Sequence, residues 1–149
     1  MSDLVFSVKG ESLSSAKFKA KVRDFELIVD EPEALGGTDQ SPNPVEYILT
    51  GFAGCLNVVG FIVAKELDFE IDKLKIEISG NINPNKFLGL SSEERAGYKN
   101  IEVKLVPETK ASIETLVKWL HIVQERCPVK DNLINDTLVN VSIEKQYAG

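Results

Sequence analysis

The sequence has little of what most reactive or metal-holding sites are built from. It contains two cysteines, one histidine, one methionine and one tryptophan in 149 residues. Its only arginines are Arg23, Arg95 and Arg126. A lone histidine without a CxxC pair excludes the usual zinc ligand sets, so no metal and no other cofactor is expected. Two cysteines far apart in the chain are too few for a disulfide scaffold. No run of basic residues occurs, and 17 Lys and Arg against 23 Asp and Glu leave a net charge of −6. Neither a nucleic acid nor an anionic membrane is therefore an expected partner. The opening "MSDLVFSVKGES" lacks the basic stretch and apolar run of a signal peptide. The expected compartment is the cytoplasm, where a permanent structural disulfide is not. Gly36-Gly37 lacks the GxGxxG spacing of a phosphate loop.

What is present is an ordinary globular balance, 43% hydrophobic and 27% charged, with no repeat, low-complexity tract or linker. The whole chain, 1–149, is expected to form a single domain. One stretch stands apart. Tyr47 to Ala64 carries no charged residue, which meets the length of a membrane span. Thr50, Asn57 and three glycines dilute it, and no cluster of Lys and Arg flanks it to set an orientation. The expected reading is a buried core helix.

That helix has clear punctuation. Asn43 suits the N-cap, Pro44 the first helical position and Glu46 the third, a capping box; its end is expected near Asp68. Before it, 4–9, 15–22 and 25–30 read as strands, with Gly10-Glu11-Ser12 and Asp24 in the turns. Beyond it, "DKLKIEISGNI" and "NIEVKLVP" alternate as half-buried strands around a polar stretch. Residues 111–126 form a second helix with Ile113, Leu116, Val117, Leu120 and Val123 on one face. Pro128 opens a further short turn, and "TLVNVSIEKQ" alternates as a last strand. Three strands, a helix, two strands, a helix and a strand make an α+β class with antiparallel-rich sheets.

Both cysteines sit in or beside apolar helix faces, where a thiol is most simply a small core side chain. Other details point to chemistry. Gly51, Gly54 and Gly60 surround Cys55, and each costs about 1 kcal/mol against alanine in a helix, which invites a close neighbour. Cys127, just before Pro128, is a candidate N-cap whose thiolate three backbone N–H groups would stabilise. Cys55 lies too deep in its helix for such help and needs a cation from elsewhere. Arg23, Arg95 and Arg126 are the arginines to choose from; Arg95 lies in the glycine-containing loop "EERAGY", and Arg95 or Arg23 is the expected partner. His121 reads as a helix-surface residue and Glu93-Glu94 as a solvated loop.

"VDEPEALGGTDQSPNPVEYILTGFAGCL", "FLGLSSEERAGY" and "ERCPVKDNL" together resemble the OsmC/Ohr family of thiol-dependent hydroperoxide reductases, nearest its OsmC-like branch. The resemblance runs along essentially the whole chain. It implies an intertwined homodimer with the long cysteine-bearing helices at its centre. It also implies a peroxidatic thiol at Cys55, a resolving thiol at Cys127, an organic hydroperoxide as substrate and a dithiol as reductant. The family's hydroperoxidase branch carries its catalytic acid directly after the proline; here that place is Val45, and the acid is Glu46. One residue turns a helical side chain by about 100°, so Glu46 is either catalytic or only the capping acid. The family's arginine, in a glycine-rich N-terminal loop, has Arg23 as its nearest counterpart. Two further readings stay open: a non-catalytic dimeric module that binds a small apolar ligand or senses redox state, and a structural dimer with inert thiols.

Overall fold

The computed structural model describes residues 1–148. The chain forms two compact units, Met1–Ala53 with Ile78–Val103 and Gly54–Glu77 with the chain from Lys104 onward. Helix α1 (Pro44–Glu66) and the paired strands β4 (Lys73–Ile82) and β5 (Tyr98–Glu108) each run through both.

In the first unit, β1 (Lys9–Ser12), β2 (Phe18–Val22) and β3 (Phe25–Val29) form an antiparallel meander. The strand expected over 4–9 is displaced, and Gly10, expected in a turn, sits inside β1 opposite Ala20. A Cβ on Gly10 would come within 2.5 Å of the Phe18 ring and 2.3 Å of the Lys19 carbonyl. The glycine is there because a ring lies across the strand. Leu4, Val5 and Phe6 are left exposed outside the sheet. Arg23, at the β2–β3 turn, takes a left-handed φ of 54°.

After β3 the chain folds back on Asp30, which is fully buried. Its carboxylate accepts bonds from the Glu31, Thr38 and Gln40 N–H groups and the Thr38 hydroxyl. Gly37 passes so close to the Glu31 backbone that a Cβ would lie 1.9 Å from its carbonyl oxygen, so only glycine fits. This closed loop delivers Asn43 to the start of α1. There the capping box is reciprocal: Asn43 N–H donates to Glu46 Oε1 at 2.9 Å, and Glu46 N–H to Asn43 Oδ1 at 2.8 Å. Tyr47 and Tyr98 then tie the first turns of α1, donating to the carbonyls of Ile28 and Val45 at 2.6 and 2.8 Å.

The second unit holds most of the apolar core: Leu56, Val59, Val63 and Ala64 from α1, with Ile71, Trp119, Val123 and Cys127. Helix α1 is long and apolar enough to cross a membrane; one face of it is buried in this chain, while Ile48, Val58, Phe61 and Ile62 are exposed. Helix α2 (Ile113–Arg126) starts at Ser112, whose hydroxyl accepts the Thr115 N–H. Its inward stripe differs in part from the expected one. Val123 is buried and Leu116 half-buried as expected, and Trp119 joins them, whereas Ile113, Val117 and Leu120 are exposed. Both stripes are apolar, and the largest side chain decides between them: Trp119 packs edge-on against Phe69 at 6.4 Å and donates its indole N–H to the Gly60 carbonyl at 2.8 Å. Gly60 makes room for it, since a Cβ would lie 3.1 Å from the indole.

Helix α3 (Pro128–Ile134) follows at once. The strand expected at 137–146 does not form. Leu138, Val139, Val141 and Ile143 are exposed, and an alternating segment is a strand only when a neighbour completes its ladder. The observed order is three strands, a helix, two strands and two helices. The class remains α+β.

Candidate functional site

Cys55 lies midway along α1 and is partly exposed, whereas Cys127 is buried; both are free thiols. They belong to the same unit, and Cys55 acts on the ionisation of Cys127. Cys127 occupies the corner between α2 and α3, closing one helix and capping the next. Pro128 fixes this arrangement because it disfavours helical geometry at the residue before it and suits the first helical position after it. The Cys127 sulfur accepts the Lys130 N–H at 3.4 Å.

The N-cap placement expected of Cys127 is therefore present, but its electrostatic consequence is reversed. Burial pushes the Cys127 thiol up, the Lys130 N–H opposes this, and the Cys55 thiol raises it further. A weak sulfur acceptor at the end of a two-turn helix does not offset the loss of water. The pair thus has one partly exposed thiol and one buried thiol whose ionisation burial disfavours.

Arg126 is the one arginine in this unit, and it is committed. Its guanidinium bonds the Glu66 carboxylate, lowering the Glu66 pKa and raising its own. No sequence signal announces this pair, because Glu66 and Arg126 lie on different helices.

The other candidates lie in the first unit. Arg95 is exposed and donates to the Tyr98 carbonyl at 2.7 Å. Arg23 stacks on the Phe25 ring at 5.0 Å. Glu46 is the capping acid described above, and it has acidic company. Burial pushes the Glu31 carboxyl up, and Asp30 and Glu46 push it further. Glu31 Oε2 is enclosed without a hydrogen-bond partner among the described residues. Tyr98 is likewise raised, by burial and then by Glu46. Tyr98, Asp30 and Glu31 were not among the residues singled out from the sequence.

His121 is exposed on α2, 3.5 Å from Glu125, and Glu94 pairs with Lys99 at 2.9 Å in its loop, as their surface readings require. An open groove of about 1050 Å³ in the second unit is lined by Phe61, Lys65, Asp68, Phe69 and Lys110; neither cysteine lines it.

Among solved structures the fold is similar to an OsmC-like protein from Mycoplasma pneumoniae, at 19% identity and a TM-score of 0.77 over 89% of each chain. It is also similar to an organic hydroperoxide resistance protein from Elizabethkingia anophelis, at 17% identity and a TM-score of 0.67 over 91% of each chain. A third similar structure is the organic hydroperoxide resistance protein OsmC from Legionella pneumophila, at 17% identity and a TM-score of 0.65 over 90% of this chain and 92% of that one. These identities speak to the fold alone. No curated protein matches the sequence. The family model for OsmC-like protein matches residues 37–142, a span that includes both cysteines and most of the chain. The chain belongs to the OsmC-like family.

Proposed function

We propose that the protein is a thiol-dependent peroxidase that reduces organic hydroperoxides in the cytoplasm, with Cys55 as nucleophile and Cys127 as resolving thiol. The observation that carries this reading is the pairing of a partly exposed thiol with a buried one in a single unit. The Cys55 thiolate attacks the O–O bond, taking one oxygen and releasing the alcohol after protonation. The resulting sulfenic acid condenses with the Cys127 thiol, giving a disulfide and water. A cellular dithiol then returns both thiols and is itself oxidised to a disulfide. The names of the similar proteins from Elizabethkingia anophelis and Legionella pneumophila, both hydroperoxide resistance proteins, support this substrate class.

A second copy of the chain completes the proposal. Val58, Phe61 and Ile62 on α1, Ile113 and Val117 on α2, and Val139, Val141 and Ile143 near the C-terminus are exposed. Gly51 and Gly54 have open space where a Cβ would stand. A homodimer in which the segments near both ends find strand partners would cover these surfaces. An activating arginine is also required. With Arg126 engaged by Glu66, Arg95→Ala and Arg23→Ala are the substitutions that test for it.

Stopped-flow consumption of cumene hydroperoxide decides the matter. The wild-type chain should turn over with a dithiol, Cys55→Ser should not, and Cys127→Ser should react once and stall. Equal slow consumption by wild type and Cys55→Ser would end the proposal. The alternative is a binding module or redox sensor, favoured by Val45 at the position of the family's acid and by the capping bond that Glu46 makes instead. Native mass spectrometry showing a retained small molecule, without peroxide turnover, would select it.

A further inference from the structure

We propose that the Arg126–Glu66 ion pair is the positioning element that aligns Cys127 with Cys55 for disulfide closure. Arg126 and Cys127 are consecutive and form the corner that ends α2. Trp119 holds α2 to α1 at Gly60, and Arg126 adds a second, separate hold at Glu66. Positions 55 and 66 are three helical turns apart, so they share a face and stand about 16 Å apart along the axis. A corner held at one point can pivot; one held at two separated points cannot. Closure demands this control, since a disulfide tolerates only a narrow range of Cα separations and one torsion near a right angle.

The pair is poorly suited to being a stability device. The Arg126 and Glu66 side chains are 44% and 51% exposed, and exposed ion pairs contribute little to folding. Trp119 and Val123 are already fully buried, and the indole bond to Gly60 already joins α2 to α1. What the pair adds is a fixed orientation at the corner, seven residues beyond Trp119, where α2 gives way to α3. An alanine at either position leaves the core untouched and frees the corner.

The inference rests on the two-cysteine reading of the site, and its test avoids peroxide. Diamide takes up one thiolate as an adduct, and the second thiol displaces it, yielding the disulfide and the reduced hydrazine. Closure of the full-length chain is followed by acid quench and mass spectrometry in wild type, Glu66→Ala, Arg126→Ala and the charge-reversed Glu66→Arg/Arg126→Glu double variant. Both single variants should close about fivefold more slowly, the scale of an exposed pair. The double variant should return to within about twofold of wild type. Alkylation of Cys55 by iodoacetamide should be unchanged throughout, which damage to the fold would not allow. Single variants that close at the wild-type rate overturn the proposal, as does a charge reversal without rescue or a wild-type chain that diamide cannot close. Closure with these ratios in a chain inert to cumene hydroperoxide would retain the positioning role and remove the peroxidase reading.

Discussion

The Cys127 sulfur accepts the Lys130 N–H at 3.4 Å while lying buried beneath the surface. The helix end that should favour its thiolate is outweighed by the removal of water, and the thiol is pushed up. A group that binds its proton more tightly in the folded chain makes stability fall as pH rises above its unfolded value, about 8.5 for cysteine. Denaturant unfolding between pH 8 and pH 10 should show this loss, and Cys127→Ala should flatten it. The same shift makes the resolving step faster at alkaline pH, since the thiolate is the attacking form. Rapid-quench measurement of disulfide formation across that range checks the direction.

Asp30 gives the opposite sign. Its carboxyl is held well below the usual carboxylate range, first by the Thr38 hydroxyl, against the opposing effect of burial, with backbone N–H groups of Gln40, Glu31 and Thr38 assisting. Its contribution is present above the unfolded value of about 3.9 and is lost as pH falls below it. Asp30→Asn should lower Tm at pH 7, and the gap to wild type should narrow at pH 3.

Glu46 separates capping from catalysis. Its side chain accepts the Asn43 N–H, a bond that glutamine can also make. Glu46→Gln should therefore change the single-turnover rate with hydroperoxide by less than about threefold, against the 10²–10⁴ typical of a lost acid or base. Asn43→Ala, which removes the other half of the box, should cost about 1 kcal/mol of stability. Single-turnover kinetics and urea unfolding on the two variants test both statements.

The start of α1 was legible because its signals are local: Asn43, Pro44 and Glu46 are neighbours and bond one another. The N-cap position of Cys127 was legible for the same reason, since Pro128 dictates it. Gly10 was misread because the ring above it comes from Phe18, across the sheet. The inward face of α2 was read only in part, Val123 being buried as expected, because two apolar stripes compete and only the Trp119–Gly60 contact separates them. The last alternating segment finds no strand partner among the described residues, and the Glu66–Arg126 pair joins two helices. Such contacts depend on tertiary geometry that periodicity does not encode.

Gly60 and Gly54 should respond differently to alanine. Each substitution gains about 1 kcal/mol of helix propensity. At Gly60 the new Cβ lies 3.1 Å from Trp119 and 3.2 Å from Leu74, and overpacking of this kind costs about 1–3 kcal/mol. Gly60→Ala should therefore lower stability by about 1 kcal/mol. Gly54, with nothing within 4 Å, should gain stability in the single chain. Any loss of stability on Gly54→Ala that grows with protein concentration would locate a second copy against that face. Chemical denaturation at two protein concentrations distinguishes the cases.

The most direct measurement is the intact mass of the protein after brief treatment with one equivalent of cumene hydroperoxide, with the bridge mapped by digestion. The expected product is a single intramolecular Cys55–Cys127 disulfide, seen as the loss of two hydrogens and reversed by a dithiol. A chain that keeps both thiols, or that accumulates sulfinic acid at Cys55 with Cys127 unmodified, would contradict the assignment of Cys127 as the resolving thiol.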